Sequence, residues 1–371
     1  MTDRFHQMVS PFVHDLSPYV PGKPAEDLAR EKGLPHVVKL ASNENPLGPS
    51  PRAVEAARSV LDAAHRYPDG YGRALKEELA RRWGVGPENL VLGNGSSEVI
   101  EMVVRLVVRP GRSVVLASPS FSIYELTVRA QGGEVVWVPL QDHRVDLEAV
   151  AAAVRPDTSL VILGNPNNPT GTAFGAAEWE RFLERVPSSV AVILDEAYAE
   201  YADTPDFPQG PRYVDPSRPL VVVRTFSKAY GLALLRIGYA VGPPGLVDYL
   251  NRLRLPFNAN GVAQAAALAA LADGEHLRRS REVNRRGRER LHRLFGRMGL
   301  EHVPSQANFV AVKVGDGDGV YRRLLDRGVI VRSIRGFGMP EWLRVTVGLP
   351  EELDRFEAAF QAVTAEGIAR P

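Results

Sequence analysis

Six lysines stand against 39 arginines in this chain of 371 residues. One of the six, Lys228, lies in the stretch Arg224-Thr-Phe-Ser-Lys-Ala-Tyr-Gly-Leu-Ala-Leu-Leu-Arg236. An arginine keeps its proton at any accessible pH, whereas a lysine can shed one and attack a carbonyl, so Lys228 is the candidate for Schiff-base chemistry. Three further segments have compositions suited to a site: Asn165-Pro-Asn-Asn-Pro-Thr-Gly171, Asp195-Glu-Ala-Tyr198 and Trp342-Leu-Arg-Val-Thr-Val-Gly348.

These groups need elements to hold them. Short β-branched runs at 113–117, 134–138, 159–163, 190–195, 220–225 and 237–241 alternate with helical periods at 121–131, 146–154 and 177–185. Crossovers of that length connect parallel strands, and the pattern predicts an α/β fold, a mostly parallel central sheet flanked by helices. Asn165, Asp195 and Thr225 then fall at the carboxyl ends of strands, where open α/β sheets bind ligands. Beyond about residue 255 the pattern becomes a long basic helix at 276–297, strands at 309–314, 329–333 and 343–347, and helices at 320–327 and 351–366, which reads as a smaller α+β domain. A chain of this length exceeds the roughly 250–300 residues at which one core stops growing. The expected division is an arm over 1–48 joining the small domain or a partner subunit, a large domain over 49–260 and a small one over 261–371.

Composition narrows the function. A formal charge of +1 supplies no field for nucleic acid or membrane, and with no cysteine there is neither disulfide nor thiolate metal site. The first 13 residues carry charge where a secretory leader would be apolar, and the longest uncharged stretch outside the turn-rich Asn-Pro segment, 255–272, is alanine-rich and a poor membrane span. The cytoplasm is the expected compartment. The arginines of 276–297 interleave with Glu282 and Glu289 around an apolar stripe, which predicts a solvated helix face in preference to a nucleic-acid surface.

Each candidate also has a plain structural reading. Gly95, Ser96 and Ser97, in Gly93-Asn-Gly-Ser-Ser97, could cradle an anion at a helix start or simply cap the helix. The Asn-Pro run could be a loop, and Asp195 and Tyr198 an acidic strand end and a core tyrosine. The ordered set Asn168, Asp195, Lys228 and Arg344, each at a strand edge or loop, favours the functional reading, a site for pyridoxal 5'-phosphate.

With those motifs the chain resembles the fold-type I pyridoxal-phosphate enzymes of the aspartate aminotransferase superfamily, and within them the histidinol-phosphate aminotransferases. Tyr19-Val-Pro-Gly-Lys-Pro24 and Leu40-Ala-Ser-Asn-Glu-Asn-Pro-Leu-Gly48 are the more specific motifs, and Tyr67-Pro-Asp-Gly70 and Leu343-Arg-Val-Thr-Val-Gly348 extend the likeness over nearly the whole chain. The resemblance implies that Lys228 binds the cofactor covalently and moves the substrate's Cα proton. It implies that Asp195 pairs with the pyridine nitrogen, that Asn168 and Tyr198 bond the ring's O3′, and that Phe121 stacks on the ring, although Phe121 also suits an ordinary core at a helix start. Thr225, Ser227, Arg236 and the Gly95–Ser97 backbone would hold the phosphate, joined by Tyr67 from the other subunit of a homodimer.

For the substrate, the resemblance implies Arg344 as the fork for the α-carboxylate with Asn43 beside it, Arg332 as a phosphate contact with Arg335 nearby, and Tyr19 as the cover of the side-chain pocket. The plainer reading, less favoured, is that Arg332 caps a strand edge. The implied reaction is L-histidinol phosphate plus 2-oxoglutarate giving imidazole acetol phosphate and L-glutamate; an aromatic amino-acid aminotransferase and a threonine-phosphate decarboxylase are the alternatives. One position departs from the family's usual Gly-Leu-Ala-Gly-Leu-Arg. Leu234 stands where a glycine is usual, and an intruding side chain there would cost about 1–3 kcal/mol unless the neighbours or the loop gave way.

Overall fold

The computed structural model describes residues 5–365. Its strands are β1 (Val38–Lys39), β2 (Leu90–Gly93), β3 (Ser113–Ser118), β4 (Glu134–Pro139), β5 (Thr158–Gly164), β6 (Ala191–Asp195), β7 (Leu220–Thr225), β8 (Gly238–Val241), β9 (Phe309–Lys313), β10 (Val329–Ile330), β11 (Arg332–Ser333) and β12 (Trp342–Thr346). Seven form one sheet in the order β2-β8-β7-β6-β5-β3-β4. The run from β7 to β4 is parallel, and β8 alone runs against both its neighbours. Strands β5, β6 and β7 are buried almost throughout, the signature of a sheet covered on both faces. On one face Val114, Leu116, Ile162 and Ile193 pack with Val99, Val103 and Tyr124; on the other, Val115, Val161 and Val192 pack with Trp179 and Phe182. That alternation is the period of two expected of β-strands.

A second core lies around β9, β11 and β12, where Val310, Val312, Leu343 and Val345 meet Leu291, Phe295, Phe356 and Phe360 of the helices Gly274–Arg297 and Pro350–Ala365. The N-terminal arm reaches this core through β1, which pairs in parallel with β10, and through Leu28, packed with Ala41 and Ile330. The arm's first four residues, and Glu366 of the last expected helix, lie outside the described residues.

Three local expectations need correction. The strand anticipated at 329–333 is two short ones, β10 pairing with β1 and β11 with β12, because Val331 carries the chain from one sheet to the next. The basic helix is not uniformly solvated: Arg285 does bridge Glu282 and Glu289, but Arg288 is buried against Asp203 at 2.5 Å and Arg290 spans to Asp354 and Glu357. Leu234 does not intrude. It lies in a single 3-10 turn, Ala233–Leu235, with 90% of its surface open, so nothing has to shrink around it.

The helix Gly261–Ala272 follows the division expected at 260, yet it packs with the large sheet's layer, its Ala263, Ala266 and Ala270 meeting Ala53, Leu75 and Leu79. Alanine at those positions lets two helix backbones approach closely. Asn260 caps the helix, accepting from the Ala263 amide at 2.8 Å. Among the described residues no helix is long and apolar enough to cross a membrane.

Candidate active site

The ends of β5, β6 and β7 meet the edge of β12 around a cavity of about 180 Å³. Of the sixteen residues singled out in the sequence, fourteen line it: Tyr19, Asn43, Ser96, Ser97, Phe121, Asn168, Asp195, Tyr198, Thr225, Ser227, Lys228, Arg236, Arg332 and Arg344. Gly95 sits directly behind Arg236, and Tyr67 stands outside, stacked on Phe257 at 4.5 Å with 81% of its surface exposed.

Lys228 follows β7 by three residues, and its Nζ donates to the Ser42 carbonyl at 3.2 Å. Burial lowers its pKa to about 8, with the positive charges of Arg344 and Arg236 acting the same way against Glu44 and Asp195. Asp195 closes β6. Its Oδ2 accepts from Tyr124 Oη at 2.7 Å and its Oδ1 from the Ala197 amide at 3.0 Å, while burial raises its pKa to about 6 against those two donors and Lys228. A buried carboxylate in that state is ready to take a cationic N–H partner.

Opposite Lys228, the Tyr198 hydroxyl receives the Asn43 amide at 2.9 Å and the Asn168 amide at 3.5 Å. Arg344 is buried. Its Nη1 donates to Asn168 Oδ1 at 2.5 Å, its Nη2 to the Ala41 carbonyl at 2.9 Å, and its Nε has no partner among the described residues. Burial, aided by Arg332, brings its pKa down to about 10. A buried guanidinium with only neutral acceptors is a cation lacking its anion.

The other end of the cavity is built for an oxyanion. Gly95, at φ 79°, begins the helix Ser96–Val107 in a conformation open to glycine, and no side chain caps that helix start. The Ser96 and Ser97 hydroxyls are therefore not spent as caps, and both residues line the cavity at a helix start, whose first-turn amides have no partner within the helix. A Cβ on Gly95 would collide with the Arg236 guanidinium. Arg236, held at φ 52° despite its side chain, donates to Ser227 Oγ at 3.1 Å. Strain of this kind persists where surrounding structure holds it. These donors suit a phosphate, Asp195 suits a pyridinium and Lys228 suits an aldehyde; the residues present fit pyridoxal phosphate.

Tyr124, Ser42, Gly22, Pro166 and Phe337 also line the cavity and were not anticipated. Tyr124 had a signal: it is three residues past Phe121, hence on the same helix face, and the two rings meet edge to face at 5.6 Å. Ser42 contributes a carbonyl, which no sequence pattern marks. Arg335 points away, its Nε donating to Asp318.

Residues 35–360 match the family described as aminotransferase class I and II. A "Histidinol-phosphate aminotransferase 2" from Pseudomonas aeruginosa is 49% identical over 364 residues, covering 97% of this chain and 99% of that protein. A "Histidinol-phosphate aminotransferase 1" from Cupriavidus pinatubonensis is 50% identical over 94% of this chain and 95% of its own length. Among solved structures, the histidinol-phosphate aminotransferase of Sinorhizobium meliloti in complex with pyridoxal-5'-phosphate superposes with a TM-score of 0.89 at 33% identity, covering 96% of this chain and 98% of that one. Fold, cavity chemistry and relatives agree that this chain belongs to the class I and II aminotransferases and is a pyridoxal-phosphate-dependent transaminase.

Proposed function

We propose that the enzyme transfers the amino group of L-histidinol phosphate to 2-oxoglutarate, giving imidazole acetol phosphate and L-glutamate. The observation that carries this reading is the pairing of Arg332 with Arg344, direct partners across the antiparallel β11–β12 ladder, with both side chains lining the cavity. Like charges directly opposed across a ladder are destabilising, so the pair is well used only when an anion lies between them. A phosphate monoester carries about −1.5 to −2 charges at neutral pH and answers both arginines, whereas one carboxylate answers one. In histidinol phosphate that group hangs from the α-carbon where an amino acid has its carboxylate, so the same arginines can serve the phosphate in one half-reaction and glutamate's carboxylate in the other. The names of the relatives from Pseudomonas and Cupriavidus support the same substrate.

The residues then take these roles. Bound pyridoxal phosphate supplies an electron sink for the electrons of the substrate's Cα–H bond. Lys228 would hold it and, as a neutral amine, would take and return the Cα proton; a pKa of about 8 in the cofactor-free protein keeps part of the lysine neutral at physiological pH. Asp195, steadied by Tyr124 and the Ala197 amide, keeps the ring nitrogen protonated. Asn168 and Tyr198 bond the ring oxygen, and Phe121 covers a ring face. Gly95, Ser96, Ser97, Thr225, Ser227 and Arg236 hold the phosphate. Tyr19 closes the outer wall, where Arg332 Nη2 also donates to the Val20 carbonyl at 3.0 Å.

The reading includes a homodimer in which the partner copy's tyrosine at position 67 reaches the phosphate. Tyr67 and Phe257, stacked on one another, and Tyr71 and Leu255 are exposed large side chains that a partner copy could cover. It also keeps the division into a cofactor-carrying unit and a smaller unit that includes the arm, with the helix Gly261–Ala272 on the cofactor side.

The test is a comparison of amino donors in single-turnover half-reactions. Histidinol phosphate is expected to react with higher kcat/KM than phenylalanine or tyrosine, and Arg332→Ala to lower it about 100-fold while the aromatic donors change little. Unchanged histidinol-phosphate efficiency in Arg332→Ala, with aromatic donors preferred, would make the protein an aromatic aminotransferase. Carbon dioxide release from threonine phosphate would make it a decarboxylase.

A further inference from the structure

Asn43, expected beside the substrate carboxylate, lines the cavity and spends both ends of its side-chain amide on neighbours. Its Nδ2 donates to Tyr198 Oη at 2.9 Å, and its Oδ1 accepts from Thr346 Oγ1 at 3.1 Å. The Asn43 main-chain amide donates back to that same Thr346 oxygen at 3.0 Å, and its carbonyl accepts from Asn308 Nδ2 at 3.0 Å. The residue is held at φ 55°, a left-handed conformation that asparagine tolerates better than most side chains. A main chain so fixed leaves the amide group only one choice, which way round to sit.

We infer that Asn43 is a positioning residue that aims the phenolic proton of Tyr198 into the cavity, and that Thr346 fixes Asn43 in the orientation this requires. The reasoning is an account of protons. A tyrosine hydroxyl has one proton to give and an oxygen that accepts. The Asn43 amide at 2.9 Å, with the Asn168 amide at 3.5 Å, occupies its accepting side, so the proton is left to point at the cofactor's ring oxygen. Thr346 receives the Asn43 main-chain N–H and donates its own proton to Asn43 Oδ1, an arrangement that leaves Nδ2 toward Tyr198. With the amide reversed, Oδ1 would draw the phenolic proton out of the cavity. Thr346 lies two residues past Arg344 on β12, and Arg344 orders Asn168 in the same way. One strand of the small sheet thus orders both amides that converge on Tyr198.

This rests on the assignment of Tyr198 to the ring oxygen, and the experiment separates the two. The cofactor-loaded enzyme, without substrate, is titrated by its visible absorbance to give the pKa of the Lys228–cofactor imine. A phenol aimed at the anionic ring oxygen favours the deprotonated imine, so losing it raises that pKa. The charged and titratable groups around the imine, Asp195, Arg344, Arg236, Glu44 and Tyr198 itself, stay in place in every variant at 43 and 346. Asn43→Ala and Thr346→Val are each expected to raise the imine pKa by about one pH unit, toward the value in Tyr198→Phe, and Thr346→Ser to restore the native value.

Thr346→Val is nearly isosteric and removes only the hydroxyl, so it reads the relay even if Asn43→Ala folds poorly. A purely structural role would lower the melting temperature of the cofactor-free protein without moving the titration. An unmoved titration in Asn43→Ala and Thr346→Val, with Tyr198→Phe raised, overturns the inference and spares the Tyr198 assignment. If Tyr198→Phe is itself unmoved, that assignment falls and takes the inference with it.

Discussion

At the scale of single residues, the cavity holds cations that folding alone does not repay. Lys228 has its pKa depressed to about 8 from 10.5, so the folded protein binds its proton less tightly than the unfolded chain. The resulting penalty is full below pH 8 and fades as pH rises from about 8 to 10.5. Lys228→Met is therefore expected to stabilise the cofactor-free protein at pH 7 by about 1–3 kcal/mol, discounted for the side chain's partial exposure to the cavity, with the gap closing by pH 10. Urea unfolding at the two pH values checks this. Asp195 has the opposite linkage: a carboxyl raised to about 6 favours folding at low pH, and that advantage is lost as pH climbs from about 4 to 6. Tyr124→Phe removes one of the two donors holding Asp195 and is expected to weaken cofactor retention about 10-fold by equilibrium dialysis, with no loss of fold, since the ring stays in the core. Asp195 and Arg344 were legible because charge in an apolar strand is conspicuous, and Lys228 because lysine is scarce in a chain that prefers arginine. Ser42 was not, because a carbonyl is the same in every residue.

At the scale of elements, the strand ends do the placing. The six strands of the large sheet read from β-branched runs recur within a residue or two, because a buried parallel strand writes a continuous apolar signal. The two-residue β1 and β10 carry no such signal, and their pairing joins segments nearly 300 positions apart, a relation no local pattern encodes. The turn from Gly95 into its helix makes a sharp demand on sequence. Gly95→Ala would both strain φ and drive a methyl into Arg236, and is expected to reduce phosphate affinity at least 10-fold in cofactor titrations while the melting temperature falls only modestly. Behind the site, Arg224 on β7 bonds Glu196 at 2.5 Å and Glu200 at 3.0 Å, all buried, tying β7 to the segment that carries Asp195 and Tyr198. Arg224→Met would leave two buried carboxylates uncompensated and is expected to destabilise the protein by about 3–5 kcal/mol, seen as a lower urea midpoint.

At the scale of the whole molecule, the site lies where the large sheet faces β12 of the smaller one, so a change in how the two meet moves Arg332 and Arg344 together relative to Lys228. Leu234 is exposed in a turn joined by Asn260, which donates to the Leu235 carbonyl at 3.1 Å, to the segment that carries the exposed Leu255 and Phe257. With 90% of its surface open, Leu234 can be replaced by Asp with little loss of packing. On the proposed homodimer reading, Leu234→Asp is expected to shift the protein toward monomer in sedimentation velocity, while circular dichroism stays native. The claim on which the rest depends is a covalent link between one lysine and the cofactor. The direct measurement is borohydride reduction of the pyridoxal-phosphate-loaded protein followed by peptide mapping. The expected result is a single stable pyridoxyl adduct on the peptide containing Lys228, absent from Lys228→Ala; a colourless protein, or an adduct on any of the other five lysines alone, would contradict it.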